Sequence, residues 1–206
     1  MTPRAALDCG LGELGLELAP AAPERLLDYM ALLVKWNRIY NLTAIRDPLA
    51  MVTHHLLDSL SVLPHLPLSA SRPRVADAGS GAGLPGIPLA IARPQWRVAL
   101  AESSQKKAAF LRQAAIELAL DNVEVHEGRV EAWRPQPLFD LVISRAFSAL
   151  GEFIAACRHL VVPGGTLAAM KGTRPRDLKA GCSLISLHVP LLDAQRHLVL
   201  CPASSQ

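Results

Sequence analysis

The stretch Pro73–Pro88, PRVADAGSGAGLPGIP, limits the folds open to this chain more than any other. A short apolar strand, Val75 and Ala76, runs into Asp77, and glycines follow at every second position, Gly79, Gly81 and Gly83. Leu84-Pro85-Gly86-Ile87-Pro88 then opens an apolar helical run from Leu89 to Ala92. Strand, glycine turn and helix start form the unit by which α/β proteins bring backbone N–H groups against a nucleotide-like ligand. Glycine suits the turn because it adopts φ > 0 freely and because a Cβ would block the ligand's approach.

Two ligand classes fit this loop. Gly81-Ala82-Gly83-Leu84-Pro85-Gly86 matches G-x-G-x-x-G, and Glu102 stands where a ribose-binding acid belongs. On that match alone the chain reads as a dinucleotide-binding, NAD(P)-dependent oxidoreductase. The glycine run starts earlier, however, and Asp77 precedes its first glycine by two residues. The order acid-x-G-x-G-x-G resembles the loop of class I S-adenosylmethionine (SAM) methyltransferases. SAM carries an ammonium and no pyrophosphate, so a carboxylate beside the loop attracts it, whereas the same carboxylate repels a diphosphate. A glycine-rich turn with no ligand is the third reading, and the entropic cost of so much glycine weighs against it.

The elements around the loop alternate regularly. Residues 5–19 are Leu/Gly-rich and predict weak helix at best. Leu26, Leu27, Met30, Leu33, Val34 and Trp36 recur at helical spacing from Pro23 to about Tyr40. Asp47-Pro48 reads as an N-cap followed by Pro at N1, opening a second helix over Leu49–Leu63. Beyond the loop, strands are expected at 97–101, 122–125, 139–144 and 166–170. Helices are expected at 104–119, 149–160 and, briefly, 176–180. Two last strands, 184–189 and 196–200, flank a Pro190 turn too short for a helical crossover, so they pair antiparallel. The expected fold is an α/β, Rossmann-like class I methyltransferase: a mostly parallel seven-stranded sheet with an antiparallel C-terminal strand. Residues 1–70 form a helical extension packed on the core and residues 71–206 the SAM-binding domain.

Composition narrows the function. Of the 206 residues 4% are aromatic, too few for a base-stacking platform, and the net charge of +3 leans only mildly towards polyanions. Cys9, Cys157, Cys182 and Cys201 lack a C-x-x-C pair and read as reduced, mostly buried thiols of a cytoplasmic protein. The seven histidines make no metal-spaced set, so no metal is expected; His54 and His55 read as core or surface residues, with a cleft-facing position as the alternative. No apolar run approaches membrane-spanning length, so no membrane partner is expected.

Ligands of α/β sheets sit at the carboxyl ends of the strands. Glu102 there is placed to take ribose hydroxyls, and Val130 and Glu131 lie where an adenine would rest. Arg145, directly after the strand Phe139–Ser144, points into the cleft as a ligand for the SAM carboxylate or a substrate phosphate, or alternatively forms a structural ion pair. No Asn/Asp-Pro-Pro-Tyr motif follows that strand, which argues against methylation of an exocyclic amine. Lys35, Arg38 and Arg46, Lys106 and Lys107, Lys171 and Arg196 form basic sets suited to RNA phosphates.

Lys35-Trp36-Asn37, Tyr40-Asn41-Leu42-Thr43, His55-Leu56-Leu57-Asp58-Ser59, the whole loop Asp77–Pro88, Lys106-Lys107, Ile143-Ser144-Arg145-Ala146 and Arg196-His197-Leu198 occur in register. In this combination the chain resembles the RsmG (GidB) family of bacterial small-subunit rRNA guanine-N7 methyltransferases, over roughly residues 24–200. The resemblance implies a cytoplasmic, monomeric enzyme that moves methyl from SAM to N7 of one guanine in 16S rRNA or the 30S particle. Guanine N7 has a lone pair and no proton to lose, so the implied catalysis is positioning, with Arg145 in that role. It further implies cofactor contacts at Gly79, Leu84, Val130, Glu131 and Arg145, to which the bottom-up reading adds Asp77, Gly81, Gly83 and Glu102. A SAM-fold module that binds RNA without catalysis remains the other alternative.

Overall fold

A computed structural model describes residues 1–203. Seven strands form one sheet in the order β3-β2-β1-β4-β5-β7-β6. These are β1 (Arg74–Ala78), β2 (Arg97–Glu102), β3 (Val123–Glu127), β4 (Phe139–Ser144), β5 (Val161–Lys171), β6 (Ser183–Leu187) and β7 (Arg196–Pro202). All neighbours pair in parallel except β7, which runs antiparallel to both β5 and β6. The single reversed strand near the C-terminus is the expected one.

Side-chain alternation divides the core between the two faces of the sheet. Val75, Val98, Leu100, Leu141 and Ile143 face the N-terminal helices, while Ala76, Ala78, Ala99, Ala101 and Val142 face the other side. The first layer contains α1 (Pro3–Glu13), α2 (Ala22–Tyr40), α3 (Pro48–Met51) and α4 (Asp58–Leu60), joined by α5 (Gly86–Ala92) and α6 (Gln105–Glu117). Helix α7 (Leu150–Cys157) covers the second face through Leu150, Phe153 and Cys157. Leu7, Leu26 and Leu56 belong to the same apolar cluster as Val98 and Leu141, so the N-terminal helices share the core of the sheet. Among the described residues no helix is long and apolar enough to cross a membrane.

Three expectations are corrected. Residues 3–13 form a true helix, capped by the Thr2 hydroxyl on the Ala5 N–H at 3.2 Å and buried along Ala6, Leu7, Gly10 and Leu11. Its stability comes from packing that local propensity does not report, because Gly10 lets α1 approach Leu57 so closely that a Cβ would overlap that side chain. Residues 176–180 form no helix but part of an irregular connection, where Asp177 accepts the Gly151 N–H at 3.3 Å. Cys182 and Cys201 are joined in a disulfide, with Cα atoms 4.2 Å apart, so only Cys9 and Cys157 are free thiols. The antiparallel register pairs Ser183 with Leu200, which sets Cys182 opposite Cys201; nothing in their spacing of 19 signals this.

The second expected helix is present but interrupted. Asp47 caps it by accepting the Ala50 N–H at 2.7 Å, and Val52–Leu57 then continues as a π-helix before α4. Such π segments inside helices recur at functional sites. This one carries His54 and His55 and leads into Asp58.

Candidate functional site

The glycine loop is braced from four directions. At its start, the Gly79 and Ser80 N–H groups donate to the Ala101 carbonyl at 2.9 and 3.0 Å, tying the loop to the end of β2. Glu102 then grips it from the side: one carboxylate oxygen accepts the Gly81 N–H at 2.9 Å and the other the Ser104 N–H at 2.7 Å. Asp77 holds the far end by accepting the Gly86 N–H at 2.9 Å. From above, the Tyr29 hydroxyl of α2 donates to the Ala82 carbonyl at 2.6 Å.

This bracing consumes the loop's donors. Gly83 and Leu84 N–H groups donate to the Ser80 carbonyl at 2.7 and 3.1 Å, so the amides of residues 79, 80, 81, 83 and 84 all point inward. A dinucleotide pyrophosphate would need several of them. The loop therefore offers shape in place of an N–H nest. Gly79, Gly81 and Gly83 have φ of 73°, 57° and 91°, and a Cβ on Gly79 would lie 2.8 Å from the Ala146 Cβ. That close packing leaves a cradle that a side chain would fill.

Asp77 lies beneath the loop, fully buried, rather than beside it. Burial pushes its pKa up to about 7, against the lowering pull of the Gly86 N–H and of Arg145, and its Oδ1 has no hydrogen-bond partner. Glu102 is 7% exposed, an internal brace with one oxygen on the Gly81 N–H and the other on the Ser104 N–H. Beside Gly79 a cavity of about 160 Å³ is lined by Ser103, Val130, Glu131, Ala146 and Phe147. The residues fit an adenosyl-type group: an apolar wall at Val130, an exposed carboxylate at Glu131, and a turn with no side chain to obstruct it.

Across residues 145–147 lies a second cleft, of about 310 Å³. Arg145 lines this cleft while its neighbour Ala146 lines the first. Asp58, 4% exposed, is shared by two guanidiniums: Arg145 Nη1 at 2.8 Å and Arg196 Nε at 3.1 Å. Arg145 also donates to the His54 carbonyl at 3.1 Å. The ion-pair alternative for Arg145 is the one present, and the residue also borders the cleft. His54, His55, Lys171 and His197 also line it, together with the apolar side chains of Ile45, Met170 and Leu187. Burial, reinforced by Arg145, lowers the His55 pKa to about 4, and its Nε2 pairs with the Thr43 hydroxyl at 2.9 Å. Asn37 grips both backbone groups of Thr43 at 2.9 Å and so fixes the residue whose hydroxyl meets His55.

The remaining basic residues divide. Lys106 and Lys107 occupy the first turn of α6, just after Glu102 and hence at the same end of the sheet. Lys171 donates to the Phe147 and Ser148 carbonyls at 2.6 and 3.0 Å, fixing the wall between the two cavities. Arg38 and Arg46 share a neighbouring concavity with Asn37 and Asn41. Lys35 is not brought to the cleft; it lines a different depression with Arg25 and Glu117. Sequence reading assigned no role to Asp58 or Tyr29. A carboxylate and a phenol at otherwise apolar helix positions were the available signals.

Comparison with known proteins places the chain among methyltransferases. Residues 22–193 match the family model described as rRNA small subunit methyltransferase G. A protein of that name from Methylobacillus flagellatus is 52% identical over 96% of this chain and 97% of its own length. Another, from Aromatoleum aromaticum, is 53% identical over 95% and 97%. Among solved structures, a predicted O-methyltransferase from Agrobacterium tumefaciens aligns with a TM-score of 0.55 and 28% identity, covering 73% of this chain and 80% of that one. A tRNA (m1A58) methyltransferase from Aquifex aeolicus aligns with a TM-score of 0.56 at 13% identity, over 71% and 68%, a likeness of fold alone.

Proposed function

The chain belongs to the rRNA small subunit methyltransferase G family, with the class I methyltransferase fold, and from that premise we propose that it transfers methyl from SAM to N7 of one guanine in 16S rRNA. The observation that carries this reading is the pair of cavities separated by residues 145–147. One fits a cofactor and the other, lined by cations and imidazoles, fits an RNA base with its phosphate.

When bound, SAM supplies an electrophilic methyl on a sulfonium. Gly79, Gly81, Gly83 and Leu84 shape its seat, Val130 and Glu131 border the adenine, and Asp77 and Glu102 act from behind the loop. Arg145, oriented by Asp58, is a positioning residue at the boundary of the two cavities. The acceptor N7 carries no proton, so transfer rests on in-line placement. His55, held neutral, is a weak base suited to hydrogen bonding within the cleft. Residues 1–70 serve as the extension that closes the acceptor side, and residues 71–206 as the cofactor domain.

RNA is gripped at the same end of the sheet by Lys106 and Lys107, with Arg38, Arg46, Lys171 and Arg196 nearer the cleft and Lys35 peripheral. Two lysines in a helix's first turn oppose its dipole, a cost that a phosphate relieves. The enzyme acts as a cytoplasmic monomer on 16S rRNA or the 30S particle. Methyl transfer from labelled SAM to 30S particles and to total rRNA from a strain lacking its own enzyme tests the proposal. Label recovered as 7-methylguanosine at one 16S position supports it; SAM binding without label points to another acceptor, and absence of both overturns it.

A further inference from the structure

Both cavities described above open at the carboxyl ends of the strands. At the opposite pole, the amino ends of β1, β2 and β3 border a groove of about 600 Å³. Arg74 and Arg97, which begin β1 and β2, line it together with Arg72 and with Arg25 of α2. Asp121 and Glu124 share the lining, so four guanidiniums against two carboxylates leave +2 here, most of the chain's +3. Arg74 is the anchored member. Its Nη2 lies 3.4 Å from Glu124, its guanidinium packs 5.1 Å from the Phe139 ring centroid, and its Nε is buried without a hydrogen-bond partner. Arg25, Arg72 and Arg97 are exposed and form no ion pair among the described residues. Guanidiniums gathered in one concavity repel one another, and a polyanion laid along them reverses the sign. Their planar forks match phosphate oxygens.

We propose that this groove binds the sugar-phosphate backbone of an rRNA segment remote from the methyl acceptor. The inference rests on the reading of the substrate as a folded rRNA. Five residues of β1 at ~3.3 Å each set the groove roughly 17 Å from the glycine loop. A nucleotide seated in the cleft therefore does not reach the groove, and contact at both poles needs a large, structured RNA. Backbone contact of this kind fixes orientation and carries no sequence information.

The test uses the full chain with Arg25→Ala, Arg72→Ala and Arg97→Ala combined, and Arg158→Ala as an exposed arginine outside the groove. Equilibrium binding to a 16S rRNA transcript is followed over a salt series, with a short stem-loop carrying only the acceptor region in parallel. The triple variant is expected to bind the transcript about tenfold more weakly, with the slope of log K against log salt reduced by about 1 per arginine. Its binding to the stem-loop, its affinity for SAM and its thermal unfolding stay at wild-type values, and Arg158→Ala behaves as wild type throughout. Wild-type affinity and slope on the transcript, or an equal loss on the stem-loop, overturns the proposal. A slope difference in a protein that transfers no methyl keeps the groove and removes the methyltransferase reading; normal transfer without a slope difference does the reverse.

Discussion

Tyr29 donates its hydroxyl to the carbonyl of Ala82 across 53 residues of sequence, at 2.6 Å. Helix α2 thereby holds the side of the glycine loop that Asp77 and Glu102 do not reach. Burial raises the Tyr29 pKa, so the hydroxyl stays a donor. Tyr29→Phe leaves a buried carbonyl without its partner and is expected to lower stability by about 1–2 kcal/mol. Calorimetric titration should show several-fold weaker SAM binding; unchanged affinity would mean that the loop keeps its shape without α2.

Gly79→Ala meets two obstacles, a φ of 73° and the Ala146 Cβ at 2.8 Å. Relief requires the loop or residue 146 to move, and both border the cofactor cavity. We expect a loss of roughly 1–3 kcal/mol in stability and SAM affinity too weak to saturate. Ala146→Gly in the same chain should recover part of the binding, because it removes the clashing atom.

Asp58→Ala leaves Arg145 and Arg196 facing each other with no carboxylate between them. Each guanidinium side chain is about a quarter exposed, at 26% and 21%, so water softens the penalty to about 2 kcal/mol. The KM for RNA is expected to rise and kcat to fall, while SAM affinity changes little. A fall in SAM affinity alone would place Arg145 on the cofactor in the resting enzyme.

Asp77 and His55 give opposite pH dependences over nearly one window. Asp77 has a raised folded pKa, about 7 against an ordinary 3.8, so its contribution is present in acid and lost as pH climbs through that interval. The His55 pKa is depressed to about 4 from 6.5, so its contribution is present above 6.5 and lost as pH falls towards 4. Between pH 4 and 6.5 the two slopes offset each other. Asp77→Asn keeps an oxygen for the Gly86 N–H and should unmask the histidine, with Tm rising from pH 4.5 to 6.5. His55→Gln should unmask the aspartate, with Tm falling from pH 4.5 to 7. Parallel Tm–pH curves for the three proteins would show that neither group is as buried in solution as described.

The parallel strands and the glycine loop were legible because each depends on local pattern: apolar runs between turn residues, and glycines at two-residue spacing ahead of a helix. The reversal at β7 was legible because the Pro190 connection cannot hold a crossover. What escaped depends on register or on contacts between distant segments. Cys182 meets Cys201 only through the pairing of β6 with β7, and α1 persists only because Gly10 lets it settle against Leu57. The motif reads Asp77 as an acid beside the loop that attracts a ligand's ammonium and does not reveal that it is buried and holds the Gly86 N–H. Asp58 escaped because its partners, Arg145 and Arg196, lie 87 and 138 residues away.

The wall formed by residues 145–147 has one face towards each cavity, and Lys171 clamps its far end. A ligand that stiffens this wall from one side meets a partner binding on the other side at reduced entropic cost. Thermodynamic reciprocity then requires that whatever factor a ligand in one cavity lends to binding in the other be returned in full in the opposite direction.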